Sequence, residues 1–298
     1  MPARLTAYLP DHAAASCLLR PPHRVVVGRG ADCDFRIDHE SVSRRHAELW
    51  RDGEHWRVID LGSKNGTFLD GSRVGSVRLE RSGWLRLGDV HCEFELLTAE
   101  AAAAIEQRQA QRRASSMVFA VRLQAQTSLP DLLLETLRSA VELAECERGF
   151  LLLGTGADLR VAARHAIEPD AMRGRDFGGS AGAVQRALQS GMPLVINDIA
   201  QDPELGARAS VIAGGLRCLL CLPVRFQGQP LGLLYADSRK PGPPITELDL
   251  QLLGAFVERA ALWIAARRGV EALDHLLAAP APALAWRDVL DAQQMAAA

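Results

Sequence analysis

The sequence predicts a multidomain protein in which an all-β sandwich is followed by a helical linker and then by an α/β domain. Up to residue 97, turn dipeptides separate short alternating apolar runs, which is typical of antiparallel hairpins. From residue 98 the composition shifts to Ala, Glu, Gln and Arg, which favour helix. We therefore assign residues 1–97 to the sandwich, 98–129 to a connecting helix, 130–268 to the α/β domain and 269–298 to an Ala- and Pro-rich tail.

Turn dipeptides predict the hairpins of the first domain. They are Asp52-Gly53, Asn65-Gly66 and Asp70-Gly71. Residues 46–50 and 56–60 should pair across the first of them. A final strand is predicted because apolar side chains recur at every second residue, at Val90, Cys92, Phe94 and Leu96.

Helical and strand patterns alternate in the second domain. The sequence predicts a first helix with an apolar face, a strand over 150–153, a helix over 182–189, a strand over 194–196 and a hairpin of 219–224 with 231–236. A capping box at Thr246 and Asp249 opens a long closing helix. Its apolar seam consists of Leu250, Leu253, Val257, Ala261 and Ile264.

The composition excludes several classes of function. The 298 residues are 48% hydrophobic, and 34 basic residues against 36 acidic ones leave a net charge of −2. Such a balance offers no basic excess for nucleic acid or an anionic membrane. The N-terminus lacks the apolar stretch of a secretory signal, and the later apolar runs are too short to cross a bilayer. Six scattered cysteines predict free thiols. We therefore expect a cytoplasmic protein without nucleic-acid or membrane partners.

Three loop motifs of the sandwich stand out together. They are Gly28-Arg29, Ser43-Arg44-Arg45-His46 and Ser63-Lys64-Asn65-Gly66. A guanidinium offers paired charge-assisted donors to a phosphate, a hydroxyl offers one more, and an amide can hold a peptide main chain. The set predicts a local anion site on loops, where sandwiches place binding residues.

In order and spacing these motifs resemble the forkhead-associated (FHA) family, over roughly residues 4–97. The resemblance implies that Arg29 and Ser43 contact a phosphate, that Arg44 or Lys64 adds charge, and that Asn65 holds the main chain of the ligand. It further implies that His46 ties the binding loops together, and that Gly28 and Gly66 supply backbone shapes that a side chain would hinder. The implied ligand is phosphothreonine in a substrate of a Ser/Thr kinase, or in the kinase itself.

The second domain resembles the GAF family over about residues 129–268. The resemblance rests on residues 178–184, 191–196, 222–224 and 232–237. It implies a central antiparallel sheet, but it fixes no ligand, since GAF domains serve both as small-molecule sensors and as dimerisation units. No cofactor is implied, and the cyclic-nucleotide-binding residue set of the family is not matched.

Three further signals have simpler interpretations. Residues 178–182 satisfy Gly-x-Ser-x-Gly, but no buried strand precedes them, and the only downstream histidine is His275 in the tail, so we interpret them as a turn. Cys218 and Cys221 have the gap of a metal or redox motif, yet on a strand they point to opposite faces and are interpreted as core. His165 could be considered as a haem ligand, but it is a single histidine with no partner ligand in the sequence, so we interpret it as an ordinary surface or hydrogen-bonded side chain.

We therefore expect a phosphothreonine-dependent adaptor that is not an enzyme. Helices that flank a GAF domain commonly pair across a two-fold axis, so a homodimer is expected, although Leu250, Leu253 and Val257 could equally cover the domain's own sheet. The alternative is a GAF-centred small-molecule sensor in which the FHA domain only localises the protein. The hypothesis of a hydrolytic enzyme rests on the Gly-x-Ser-x-Gly pattern alone.

Overall fold

A computed structural model describes residues 1–168, 180–197 and 215–278. The first domain consists of short strands throughout, as predicted. They are β1 (Ala3–Tyr8), β2 (Ala15–Leu19), β3 (Val25–Gly28), β4 (Phe35–Arg36), β5 (Ala47–Asp52), β6 (His55–Asp60), β7 (Thr67–Leu69), β8 (Ser72–Val74), β9 (Ser76–Leu79), β10 (Gly83–Leu87) and β11 (Val90–Leu96).

Two sheets form the sandwich. One has the order β2-β1-β11-β10-β7-β8 and the other β4-β3-β5-β6-β9. Their facing side chains bury a single core around Leu5, Trp56 and Phe94. Strands β5 and β6 pair from Asp52 opposite His55, so their turn lies at Gly53-Glu54, one residue later than predicted. The alternation along each strand thus places one face in the core and the other in solvent.

The second domain is built around a five-stranded antiparallel sheet with the order β13-β12-β16-β15-β14. Its elements and the preceding linker are α1 (Ala99–Gln124), α2 (Leu129–Leu143), β12 (Arg148–Leu153), β13 (Arg160–His165), α3 (Ala181–Ser190), β14 (Leu194–Asn197), β15 (Cys218–Phe226), β16 (Gln229–Ser238) and α4 (Glu247–Ala278). Strand β13 was not predicted, because its sequence Arg-Val-Ala-Ala-Arg-His has few apolar residues and is mostly exposed.

Helices α2 and α4 cover one face of this sheet, and α3 covers the other. Leu253 and Val257 of α4 are 0% and 3% exposed and belong to the core that α2 and the sheet share. Of the two outcomes that the sequence left open, these side chains therefore cover the domain's own sheet. The tail beyond residue 278 lies outside the described residues.

Linker helix α1 runs parallel to α4. Arg112 of α1 forms an ion pair with Asp249 at 2.8 Å, and the rings of Phe119 and Phe256 meet edge to face with centroids 6.4 Å apart. In both contacts the residue of α4 lies 137 positions after its partner in α1, so the two helices run in the same direction. One side of α1 is thus fixed against the second domain, and its opposite side is left to solvent.

The turn between β1 and β2 joins the two domains. Ala14 donates its N–H to Ile245 O at 2.9 Å and accepts from Glu247 N at 3.0 Å. Asp11 accepts from the backbone N–H of Val195 at 3.2 Å. The Asp11 carboxylate also forms an ion pair with Arg186 of α3. Backbone hydrogen bonds and an ion pair therefore connect the sandwich to both α3 and the start of α4.

Within the described ranges, no helix combines the length and apolarity that crossing a membrane requires. All six cysteines lie in these ranges and are free thiols.

Candidate functional site

The three motif loops of the sandwich meet at one end of the five-stranded sheet. Strand β3 ends at Gly28, so Arg29 opens the β3–β4 loop. Ser43 lies before β5, and Asn65 lies between β6 and β7. Since β3, β5 and β6 are neighbours in the sheet, their connecting loops are brought side by side.

Backbone hydrogen bonds join the Arg29 loop to the Ser43 loop. Arg29 N donates to Ser43 O, and Gly30 N donates to Arg44 O, each at 2.9 Å. The Arg29 side chain is exposed and donates through Nε to Val42 O at 3.3 Å. A Cβ on Gly28 would lie 2.3 Å from Arg44 O, so a larger residue there would force the two loops apart.

Ser43 also contacts the third loop. Its Oγ accepts from Lys64 N at 3.0 Å, which leaves the hydroxyl proton available to a ligand. Asn65 Nδ2 donates to Ser41 O at 2.8 Å, and its second N–H and its oxygen remain available. Ser43 therefore lies between the Arg29 loop and the Lys64-Asn65 turn.

His46 lies beneath these loops and is fully buried. Its Nδ1 accepts from Ser43 N and its Nε2 donates to Gly66 O, both at 3.1 Å. Burial lowers the pKa of His46, although its hydrogen bond to Gly66 opposes this change. A neutral ring with the proton on Nε2 satisfies both bonds. The structure thus places His46 as a bridge between two of the three loops.

Asp60 supports the third loop, a role that the sequence reasoning did not assign. Its carboxylate accepts from Gly62 N at 2.9 Å, Ser63 N at 2.8 Å, Ser63 Oγ at 2.5 Å and Thr67 Oγ1 at 2.8 Å. Burial disfavours the charged form, but the hydrogen bonds from Ser63, Thr67 and Gly62 outweigh it and lower the pKa of Asp60. An Asp in an Asp-x-Gly-Ser turn, here Asp60-Leu61-Gly62-Ser63, is the signal that could have identified it.

Ser41 is a second supporting residue that was missed. Its Oγ accepts from Asp89 N at 2.8 Å, and its carbonyl accepts from Asn65. A Cβ on Gly88, where φ is 63°, would lie 2.4 Å from Ser41 O. Because these contacts join residues 24 and 48 positions apart, no local sequence pattern reveals them.

The resulting surface suits an anion. Arg29, Arg44 and Lys64 are all exposed beside the partly buried Ser43. Cationic donors and a hydroxyl on one rigid surface can bind several oxygens of one phosphate. Among the residues that the structure describes, no group of three His, Cys, Asp or Glu side chains could hold a metal ion.

The described part of the second domain contains a buried polar network. Ser180 Oγ accepts from Ala183 N and caps α3, and Ser180 N donates to Tyr235 Oη at 3.1 Å. Tyr235 Oη donates to Asp237 at 2.6 Å, and Asp237 pairs with Arg148 at 2.6 Å. Burial raises the pKa of Asp237 even though these partners oppose the shift.

The other sequence signals also fall into structural surroundings. Ser180 of the Gly-x-Ser-x-Gly pattern is 1% exposed, while residues 178 and 179 lie outside the described residues. Cys218 packs against the core beneath α2 and α4, whereas Cys221 lies in the core on the α3 side, so they point to opposite faces of the sheet. His165 is half-buried on the edge strand β13.

Comparison with characterised proteins finds relatives for part of the chain. The chain is 35% identical over 81 residues to the oxoglutarate dehydrogenase inhibitor of Corynebacterium jeikeium. This match covers 27% of this chain and 56% of that protein. The chain is 37% identical over 67 residues to the glycogen accumulation regulator GarA of Mycolicibacterium smegmatis, which covers 22% of this chain and 42% of GarA. The chain thus spans about half the length of these relatives.

A solved structure from work on phosphothreonine-dependent FHA domain interactions is 32% identical and covers 32% of this chain and 98% of its own, with a TM-score of 0.29. Family comparison places an FHA domain at residues 25–90 and a GAF domain at residues 128–264. The protein therefore contains an FHA domain followed by a GAF domain, both of them signalling and binding domains.

Proposed function

We propose that this protein is a signal-transduction adaptor that binds phosphothreonine-containing proteins through its FHA domain. The observation that carries the proposal is the convergence of Arg29, Ser43 and Asn65 from three loops, two of which His46 joins from below. Matches to regulators such as GarA are consistent with this role. A protein with a net charge of −2 needs such a local cationic surface to bind an anion.

Each residue has a distinct role in the proposal. The guanidinium of Arg29 and the hydroxyl of Ser43 donate to the phosphate oxygens, and Arg44 and Lys64 add positive charge at the rim. Asn65 keeps one N–H for Ser41 O and uses its remaining amide groups to hold the ligand main chain. His46, Gly28 and Gly66 maintain the loop geometry without contacting the ligand.

Phosphopeptide titration tests the site. Arg29→Ala should weaken binding of a phosphothreonine peptide by about 30-fold or more, because a charge-assisted hydrogen bond contributes about 1.5–3 kcal/mol and more than one is lost. Arg78→Ala, an exposed arginine on β9, is the matched control and should bind normally. Because the proposed ligand is phosphothreonine, the same peptide with phosphoserine in its place should bind more weakly. Unchanged affinity of Arg29→Ala would sink the proposal.

The proposed partner is a cytoplasmic protein that carries phosphothreonine, either a substrate of a Ser/Thr kinase or the kinase itself. In a pulldown from phosphorylated lysate, the wild-type protein should retain that partner and the Arg29→Ala protein should not. Phosphatase treatment of the lysate should remove the difference. Equal retention of the partner by Arg29→Ala protein and after phosphatase treatment would contradict phosphate-dependent docking.

We further propose that the GAF domain and its flanking helices form a homodimer. The buried seam of α4 is not available, but α1 exposes Met117, Val118 and Val121 by 75%, 52% and 65% on the side away from the second domain. Leu262 of the parallel helix α4 is 52% exposed. Fully burying each such side chain contributes about 1.5–3 kcal/mol, so pairing of two copies through this surface is favourable.

Light scattering at micromolar concentration tests the dimer. The wild type should be dimeric, and the double variant Met117→Lys with Val121→Lys should be monomeric. Leu188→Lys, an equally apolar exposed residue on α3, serves as the control and should leave the dimer intact. A monomeric wild type would rule out this part of the proposal. A small molecule found by native mass spectrometry would favour the GAF-centred sensor.

A further inference from the structure

Arg73 of β8 lies beside the turn that is proposed to hold the ligand main chain. A Cβ placed on Gly66 would be 2.7 Å from Arg73 Nε and 3.2 Å from its Cζ, so the guanidinium lies directly against Gly66. Gly66 follows Asn65 in the chain. The Arg73 side chain is exposed and forms no ion pair or hydrogen bond with any residue that the structure describes.

A second guanidinium lies in the same row. Phe68 of β7 is in register with Arg73 on one side and Arg86 of β10 on the other, and directly opposed residues of a sheet share a face. Arg86 Cζ lies 3.7 Å from the centroid of the Phe68 ring. We call Arg73, Phe68 and Arg86 the arginine ledge.

Hydrogen bonds connect this ledge to the proposed phosphate site. Arg86 Nη1 donates to Gly88 O at 2.6 Å, and Gly88 N donates to Gly66 O at 3.1 Å. Gly66 O is also the acceptor for His46. The ledge is therefore fixed relative to Asn65.

Among the residues that the structure describes, the ledge has one ion pair, which is long and exposed. The nearest carboxylate to Arg86 is Asp89, whose Oδ1 is 4.0 Å from Nη1 and whose side chain is 75% exposed. The planar fork of a guanidinium matches a carboxylate with two parallel hydrogen bonds. Ser43 N and Gly66 O each lie 3.1 Å from opposite nitrogens of the His46 ring, and Arg73 lies against Gly66. An extended peptide advances about 3.3 Å per residue, so the ledge lies within about two to four residues of a phosphothreonine bound at Ser43.

We propose that the arginine ledge binds acidic side chains that flank the phosphothreonine, so that the preferred partner carries Asp or Glu about two to four residues from the phosphorylated position. This inference rests on the proposed phosphothreonine site and names the chemistry of its partner.

Titration of the full chain with three labelled phosphothreonine peptides tests this inference. One peptide has neutral flanks, one has glutamates two to four residues after the phosphothreonine, and one has them before it. One of the acidic peptides should bind about fivefold more tightly than the neutral one, the upper range for an exposed ion pair. Arg73→Ala should abolish this gain and leave the affinity for the neutral peptide within twofold. Arg78→Ala, exposed on the other sheet, should keep the gain.

The salt dependence and the neutral peptide separate the possible failures. The gain should shrink in high salt, since exposed ion pairs are screened. If the neutral peptide binds and neither acidic peptide binds more tightly, or if the gain survives in Arg73→Ala, the ledge is not a recognition surface and the phosphothreonine site still stands. If no phosphopeptide binds, the proposed function fails and this inference fails with it.

Discussion

His46 and Gly66 are joined by a hydrogen bond from Nε2 to the carbonyl oxygen at 3.1 Å, across 20 residues of sequence. Because the opposite ring nitrogen accepts from Ser43 N, one neutral imidazole holds two loops of the proposed site at a fixed distance. The ring is fully buried, so it acts on a ligand only through the loops that it connects.

Replacing this ring should affect both stability and binding. His46→Ala leaves the N–H of Ser43 without a partner and removes one of the two hydrogen bonds that Gly66 O accepts, and the loss should lower the free energy of unfolding of the FHA domain by about 2–4 kcal/mol. Urea unfolding measures the change, and phosphopeptide affinity should fall with it. His55→Ala, at an exposed position on β6, is the control. Equal stability of the two variants would contradict the bridging role.

The lowered pKa of His46 predicts a pH dependence of stability. In the unfolded chain the imidazole takes up its proton near pH 6.5, whereas the folded chain takes it up only at lower pH. The contribution of His46 is therefore complete above about pH 6.5 and declines as the pH falls through that value. Between pH 7 and 5 the wild type should lose stability more steeply than His46→Gln, measured without peptide. Parallel slopes would contradict this assignment.

Asp60 should be as important to the site as the residues that face the ligand. Asp60→Asn replaces a carboxylate oxygen with an amide that cannot accept from all four donors, so part of the 62–67 turn loses its partners. Hydrogen bonds to charged groups contribute about 1.5–3 kcal/mol, and stability should fall by about that amount. The exposed Asp52→Asn is the control. Calorimetry at pH 7 measures both variants, and a normal melting temperature for Asp60→Asn would refute the role.

Local signals were sufficient for most of the fold, and they were insufficient for the supports of the site. Turn dipeptides, alternation and helical periodicity act over a few residues, so the strands around Gly53 and the helix faces around Leu137 could be predicted. Strand β13 was missed because it is an edge strand with mostly exposed side chains, which leaves no hydrophobic alternation to detect.

Long-range contacts explain part of what was missed at the site. Arg29, Ser43 and Asn65 were named because three motifs occur in the right order, and the structure brings their loops together. The partners of Asp60 lie two to seven residues from it, so a local turn signal was overlooked there. Ser41 acts through Asn65 and Asp89, which the fold, and not the chain, brings near. The helix seam was ambiguous for the same reason, since periodicity identifies an apolar face without identifying what covers it.

The buried network of the GAF domain provides the last prediction. Tyr235 is fully buried, donates to Asp237 and accepts from Ser180 N. Tyr235→Phe keeps the stacking on Phe150 but leaves both partners short of one hydrogen bond, so it should destabilise the domain by about 1–3 kcal/mol. Tyr8→Phe, which removes one half-buried bond to Glu93 in the other domain, should cost less.

Hydrogen exchange read by mass spectrometry locates the effect of Tyr235→Phe. Protection should fall in α3 and β16, because the hydroxyl joins Ser180 at the start of the helix to Asp237 at the end of the strand. Protection in β3 to β7 and phosphopeptide affinity should stay unchanged, since no described contact links Tyr235 to the FHA loops. Uniform loss of protection in both domains would mean that they unfold as one unit through the Asp11 and Ala14 junction, and would contradict independent stabilities.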